Sequence, residues 1–403
     1  MKMNLLDAVK NGIKETIKEK SQQKNIIEAL ENDNKKTPEK IIKQLDNYSA
    51  VFIKERFSII DKGDCFKFRD LADDYFPKSF HSLVLYVLGI KLKEIFELFF
   101  VNAKDLSCVC IDMSDSFEYV WRLTSFYHDV MTKYEDTKTA NIIHCYMPCI
   151  SSELLTVENF INTCKKIKFA GIKYTIYDKK TELNKINNTL NTISPTYSKD
   201  VVNRYFRKRL SVSNIDHGII SGYVFYNQLI CNYLKQLRDY QTSNLRHKVN
   251  EVFEHKGLFY RPEHLCLFKY IADAIIVHNI WHYDNSSEQA YKLWNLEKLS
   301  VKNRLSLKNN TLAFILGLLD TIEPTKYFKS FKPFDVLSSI KIESSRVDNQ
   351  PITIILKQFK TKNKNNIDFN DWYTNKLKSM ECWLDLTVEY NQDTKEIKIT
   401  IPS

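Results

Sequence analysis

Apolar residues recur at helical spacing from the start of the chain. Leu5, Ala8, Val9, Ile13 and Ile17, then Ile26, Ile27 and Leu30, share one face, while Lys, Glu, Asn and Gln fill the other. The pattern predicts two amphipathic helices in residues 1–50, broken near Asn32–Thr37, with Pro38 in the first turn of the second. Residues 51–75 read as a strand or irregular link followed by a short helix. From about 80 to 330 the chain reads as mostly helical. His81 opens HSLVLYVLGIKLKEIFELFF, which is long and strongly apolar; a strand-like LSCVCIDM follows, and then the helix FEYVWRLTSFYHDV, Phe117 to Val130. Leu154–Ile167 reads as a helix, GIKYTIYDKK as a short strand, and the polar Asn184–Lys199, with Pro195, as a loop. Further helices are expected around VVNRYFRKRL, from Asp216 to Leu237, from Glu263 to Trp281, and from Thr311 to Leu319 running into Asp320. After Pro333 the period changes to two. Residues 336–343, 352–359, 383–390 and 396–401 predict strands around a helix from Asp368 to Met380. The expected fold class is mainly α with a small C-terminal α+β domain.

Titratable side chains interrupt these apolar helices at few places: His81, His128 with Asp129, His217, His278, His282 and Asp320. Burying such groups without partners is costly, and a divalent cation is a partner that imidazole nitrogen and carboxylate oxygen both accept. Asp320 closes an apolar helix at the end where a carboxylate is disfavoured by the helix dipole. His278 and His282 are four apart on an expected helix, but without the Glu of HExxH they do not make a metalloprotease motif. His282 reads as a packing or supporting residue. His144, His247, His255 and His264 sit in polar or irregular contexts and read as surface residues.

Composition narrows the picture. Hydrophobic residues make up 43% of the 403, enough for a substantial core. There is no run of about 18 apolar residues and no apolar segment at the N-terminus, so neither a membrane span nor a secretory signal is expected. The nine Cys are irregularly spaced; Cys108-x-Cys110 and Cys145-x3-Cys149 lack zinc-ribbon spacing, and a reduced, cytoplasmic protein is the expectation. The net charge of +10 suits an anionic substrate or partner. Arg204-Tyr205-Phe206-Arg207-Lys208-Arg209 interleaves cations with aromatic rings, as a phosphate or base contact would, although a solvated helix face has the same composition. No Gly-rich phosphate loop or dinucleotide fingerprint occurs.

Taken in order, HSLVLYVLG, SFYHDV, DHGIISGYVFY, ADAIIVHNIWH and LAFILGLLDTIEP resemble the successive metal-binding helices of the HD superfamily of metal-dependent phosphohydrolases. The resemblance covers about residues 78–328, and the last two segments look most like a bacterial branch, some of whose members are associated with chaperone-like ATPases. It implies an HD-type helical bundle over 51–330 with an insertion at about 135–212, flanked by N-terminal amphipathic helices (1–50) and the α+β domain (331–403). It also implies a divalent site of one or two ions (Mn, Fe, Co, Ni, Zn or Mg). His81, His128 and Asp320 would hold one ion, His217 and His278 the other, with Asp129 bridging. A metal-activated water would attack phosphorus, and Arg122, Lys133 or Arg207 would neutralise charge. The signature departs from HD-x-G-K: after Asp129 the chain reads Val130-Met131-Thr132-Lys133, so the Gly is missing and the Lys is one position late.

The expected activity is hydrolysis of a nucleotide or nucleic-acid phosphoester. Two other classes fit the same residues: an HD-fold module that senses a nucleotide or protein partner, such as a chaperone-like ATPase, with weak or lost catalysis, and a nucleic-acid-binding protein working through its basic surface. The C-terminal domain, which carries no His and no paired carboxylates on an apolar helix, is expected to supply no catalytic group.

Overall fold

A computed structural model describes residues 1–31, 36–58, 78–96, 117–129, 132, 196–212, 214, 216–222, 225–226, 262–283, 287–347, 350–359 and 367–402. The fold is mainly helical, with a small antiparallel sheet near the C-terminus. The strands expected at LSCVCIDM and GIKYTIYDKK, the helix Leu154–Ile167 and most of the expected insertion lie outside the described residues, as do Cys108, Cys110, Cys145 and Cys149.

The N-terminal pattern folds as three helices rather than two: α1 (Leu5–Thr16), α2 (Lys20–Glu31) and α3 (Pro38–Ser58). The additional break falls at Ile17, whose backbone is extended, and Gln23 Nε2 donates to Ile17 O at 2.5 Å and to Lys14 O at 3.1 Å. A side chain thus satisfies carbonyls that continued helix would have used. Helix α3 also corrects the extended reading of residues 51–58. Phe52 and Ile53 are β-prone by type, but both are buried on the helix face that already carries Ile41 and Leu45.

Four helices close into a ring: α4 (Ser79–Lys91) packs on α5 (Phe117–Tyr127), α5 on α7 (Pro262–Val277), α7 on α8 (Thr311–Ile322), and α8 back on α4. Between α5 and α7 in sequence comes α6 (Lys199–Ser211). Every α8 residue is buried, so its uniformly apolar sequence matches an all-round buried helix. Trp121 Nε1 donates to Tyr86 O across the α4–α5 contact at 3.0 Å. Helix α4 begins at the end of the ring where α5, α7 and α8 finish, and its Phe80 amide is capped by Asp46 Oδ1 of α3 at 2.9 Å. Among the described residues no helix is long and apolar enough to cross a membrane.

The sheet has the order β1-β2-β3-β5-β4, all antiparallel: β1 (Lys2–Asn4), β2 (Ile340–Ser345), β3 (Ile352–Gln358), β5 (Glu396–Ile401) and β4 (Thr387–Asn391). Its alternation buries Ile340 and Ile342, Ile352, Ile354 and Leu356, Val388, and Ile397, Ile399 and Ile401. Two expected strands start late. Pro333 opens a short helix, α9 (Pro333–Ser338), in place of the first half of 336–343. Residues 383–386 are not strand; Trp383, Leu384 and Leu386 are buried outside the sheet. The expected helix from Asp368 is a composite of α10 (Phe369–Trp372), a π turn (Tyr373–Leu377) and a 3-10 turn (Lys378–Cys382).

Trp383 docks on α8 at Gly317, where an added Cβ would lie 2.3 Å from the Trp383 ring. Gly317→Ala should therefore lower stability by about 1–3 kcal/mol, read as a fall in the urea midpoint at unchanged slope. Adding Trp383→Leu to that variant should recover part of the loss; no recovery would mean the clash is absorbed elsewhere.

Candidate metal centre

The finishing ends of α5, α7 and α8 and the start of α4 deliver the site. His81 lies in the first turn of α4, His128 and Asp129 just past α5, His278 just past α7, and Asp320 in the last turn of α8. His217 opens the helical segment 217–222, whose end is capped by Asp216: its Oδ1 accepts from Ile219 N at 2.9 Å.

These side chains meet although up to 239 positions separate them. His81 Nε2 lies 2.9 Å from Asp320 Oδ1 and 3.2 Å from His128 Nε2, and His128 Nε2 lies 3.4 Å from Asp320 Oδ1. Asp129 Oδ1 is 2.7 Å from His217 Nε2, while its Oδ2 is 3.6 Å from His128 Nε2 and 3.7 Å from His81 Nε2. The His278 ring is 5.3 Å from that of His128 and 5.5 Å from that of His217. Two trios result, each with ligand atoms within 4.8 Å of one another: His81, His128 and Asp320, and Asp129, His217 and His278. Asp129 faces both.

The chemistry of these atoms fits a metal. His128 Nδ1 donates to Ser125 O (2.7 Å), His278 Nδ1 to Ile275 O (2.6 Å), and His81 Nδ1 to Glu323 Oε2 (2.7 Å). On His128 and His278 the outward bond fixes a tautomer that leaves the Nε2 lone pair pointing inward, and His81, when it gives up its Nε2 proton to a metal, presents the same atom. His278 Nε2 and both Asp129 oxygens are buried without a hydrogen-bond partner among the described residues; the Asp129 contacts are ion pairs by distance alone. Such a set of imidazole and carboxylate groups could hold a metal ion.

Charge is tuned around them. Burial pulls the His81 pKa down, but the hydrogen bonds to Asp320 and Glu323 outweigh it and raise it to about 9. Burial lowers His278 to about 3, with His128 adding to the effect. For Asp129, burial favours the neutral form, yet Lys78, Lys326 and the two neighbouring imidazoles hold its carboxyl well below the usual range. The same holds for Asp320, with Lys326 the strongest opposing charge. Lys326 Nζ reaches both Asp320 oxygens at 2.9 Å, and Lys78 Nζ lies 3.3 Å from Asp129 Oδ2. Lys78 holds a left-handed backbone, φ 67°, immediately before α4. A non-glycine residue there stores strain of a kind that collects at functional sites.

Glu323, Lys78 and Lys326 were not among the residues singled out from sequence. Glu323 had a weak signal: it is a second carboxylate three residues after Asp320, just past the end of α8. The lysines had none beyond ordinary surface composition. Arg122 pairs with Glu118 at 3.5 Å and has no contact with the cluster among the described residues. Lys133 lies outside the described residues. Helix α7 stops at Val277, so His278 and His282 do not share a helical face as expected; His282 binds the Tyr197 hydroxyl (2.5 Å) and Ser300 O (3.0 Å). His264 falls within α7, and His144, His247 and His255 lie outside the described residues. In the RYFRKR cluster, Arg204 pairs with Asp200 and Lys208 lies over the Tyr291 ring.

Gly218 permits the approach of His278. A Cβ at that position would sit 2.7 Å from the imidazole Cε1.

No family model, no curated protein and no solved structure matches the chain.

Two outcomes are expected. Glu323→Gln should weaken metal binding about 10–100-fold by loosening His81, measured by competition with a chelating dye; unchanged affinity would make Glu323 a purely structural cap. The metal-free protein should also lose stability on the alkaline side. A raised His81 pKa contributes stability in full below 6.5, and that is lost as pH climbs through 9. Between pH 7 and 9 the expected loss is about 2 kcal/mol, absent from His81→Gln. Equal urea midpoints for the two proteins at both pH values would contradict it.

Proposed function

We propose that this chain is a metal-dependent phosphohydrolase that cleaves a phosphoester of a nucleotide or nucleic acid. The observation that carries this reading is the position of Asp129 between the His81, His128 and Asp320 trio and the His217 and His278 pair, with one oxygen toward His128 and the other toward His217. Paired divalent sites of this kind are the apparatus of binuclear phosphoesterases. The order of the ligand residues along the chain also resembles that of the HD superfamily.

Bound ions would supply positive charge at the phosphoryl oxygens and lower the pKa of water at the site. The chain's own residues do the rest. Outward hydrogen bonds on His81, His128 and His278 hold three Nε2 atoms in place without motion on loading. Lys78 and Lys326 offset the buried carboxylates and bring ammonium groups to where phosphoryl charge would build. His278, with its pKa near 3, stays neutral and is suited to a ligand role rather than to donating a proton. The net charge of +10 favours a polyanionic substrate over a neutral one.

The test is a phosphate-release screen across nucleotides and single-stranded nucleic acids, with Mn, Co, Ni, Mg and Zn in turn. Turnover is expected with at least one transition metal, and Asp129→Ala should abolish it. Metal analysis should give two ions for the wild type and fewer for Asp129→Ala. Full loading without turnover on any member of the panel would overturn hydrolysis and leave ligand sensing as the function of the site.

A further inference from the structure

Lys376 stands on the π turn Tyr373–Leu377, in the part of the chain expected to supply no functional group. Three contacts fix that part against the metal centre. Tyr327 Oη donates to Asp371 Oδ2 at 2.7 Å, the Phe328 ring meets the Trp372 ring edge-on at 5.5 Å, and Trp383 stacks on Trp281 at 6.4 Å with 19° between planes. Tyr327 adjoins Lys326, and Trp281 lies three residues beyond His278. Lys376 is held between these anchors, with Nζ over the Trp281 ring, 5.2 Å from its centroid. It is half-buried and forms no ion pair among the described residues.

The charge balance gives this ammonium a task. Lys326 and Lys78 are paired with the carboxylates of Asp320 and Asp129, and Glu323 is spent on His81 and on the amides of Thr325 and Lys326. The π turn that carries Lys376 packs on α8, the helix of Asp320. Burial is the main cause that lowers the Lys376 pKa; Lys326 and Lys78 add to it, while Asp320 and Asp129 oppose it. Once divalent ions sit on the carboxylates, Lys326 and Lys78 lose part of their pairing and Lys376 still has none. The excess positive charge is then larger than one phosphate group, of about −2, offsets.

We propose that Lys376, with Lys326 and Lys78, forms an anion subsite beside the metal centre that takes a second phosphate group, next to the one that is cleaved. This rests on the phosphohydrolase reading above and adds to it a substrate class: phosphoesters bearing a further phosphate group adjacent to the scissile one. The competing account makes Lys376 a packing residue whose methylene stem covers Trp281. That account predicts no response to anions.

Binding to the full chain, measured by calorimetry with Mn2+ in buffered excess, separates the two. The probes are methylphosphonate and methylenediphosphonate, whose P–C bonds resist hydrolysis, so no activity is needed. Wild type should bind the diphosphonate at least tenfold more tightly than the monophosphonate. Lys376→Met keeps the stem on Trp281 and removes the charge; it should narrow that ratio about tenfold, with monophosphonate affinity unchanged within about twofold. Lys376→Arg should restore most of the ratio. If Lys376→Met binds both probes as wild type does, the subsite is refuted while the phosphohydrolase reading stands. If metal-loaded wild type binds neither probe, the phosphohydrolase reading fails and the subsite falls with it.

Discussion

Imidazole nitrogens and carboxylates that face one another in a buried place are the constraint on which this structure turns. His81, His128 and His278 each commit their Nδ1 to an acceptor outside the cluster, so their Nε2 atoms meet each other and two carboxylates. Neutral, the cluster would be a knot of acceptors in a buried place. A cation would resolve it, and a proton on His81 does part of the same work: its pKa is raised by the hydrogen bonds to Asp320 and Glu323, while burial lowers that of His278. The two imidazoles differ because Glu323 and Asp320 stand against one and no carboxylate bonds the other.

The helical ring exists in the form that this cluster requires. Three helices finish and one begins at the same end, and each delivers its cluster residue from a terminal turn or the residue just past it. Side chains placed there can converge without breaking the backbone ladder of any helix, while the apolar bodies of α4 and α8 carry the packing. The small residues follow the same logic. Gly218 lets one imidazole approach the helical segment beside His217, and Gly317 lets Trp383 press on the helix that carries Asp320.

The C-terminal sheet belongs to this arrangement more closely than its separate sequence character suggests. Its edge strand β1 comes from residues 2–4, with Met3 opposite Ile342, so the segment before α1 is hydrogen-bonded into this sheet. Its π turn and Trp383 bear on α8 and on the segment after α7, and they bring Lys376 to the ring of Trp281. A unit that reads from sequence as an appendage is thus packed on the elements that carry His278 and Asp320.

The sequence by itself picked out the side chains that the fold gathers into one buried cluster, and the helical character of the middle of the chain. His81, His128, Asp129, His217, His278 and Asp320 were legible because a titratable group in an apolar helix has few inexpensive partners, so its presence is informative whatever the tertiary fold. The strands at 352–358 and 396–401 were legible because one buried face imposes strict alternation. Tertiary structure alone decided the remainder. Whether Phe52 and Ile53 continue a helix or start a strand depends on the surface that buries them, and whether residues 383–386 join the sheet depends on a glycine some seventy positions earlier in the chain. Lys78, Lys326 and Lys376 look from sequence like any other of the 59 basic residues. A charge acquires its role from what lies within a few ångströms of it, and that distance is set by packing between segments that the linear pattern does not relate.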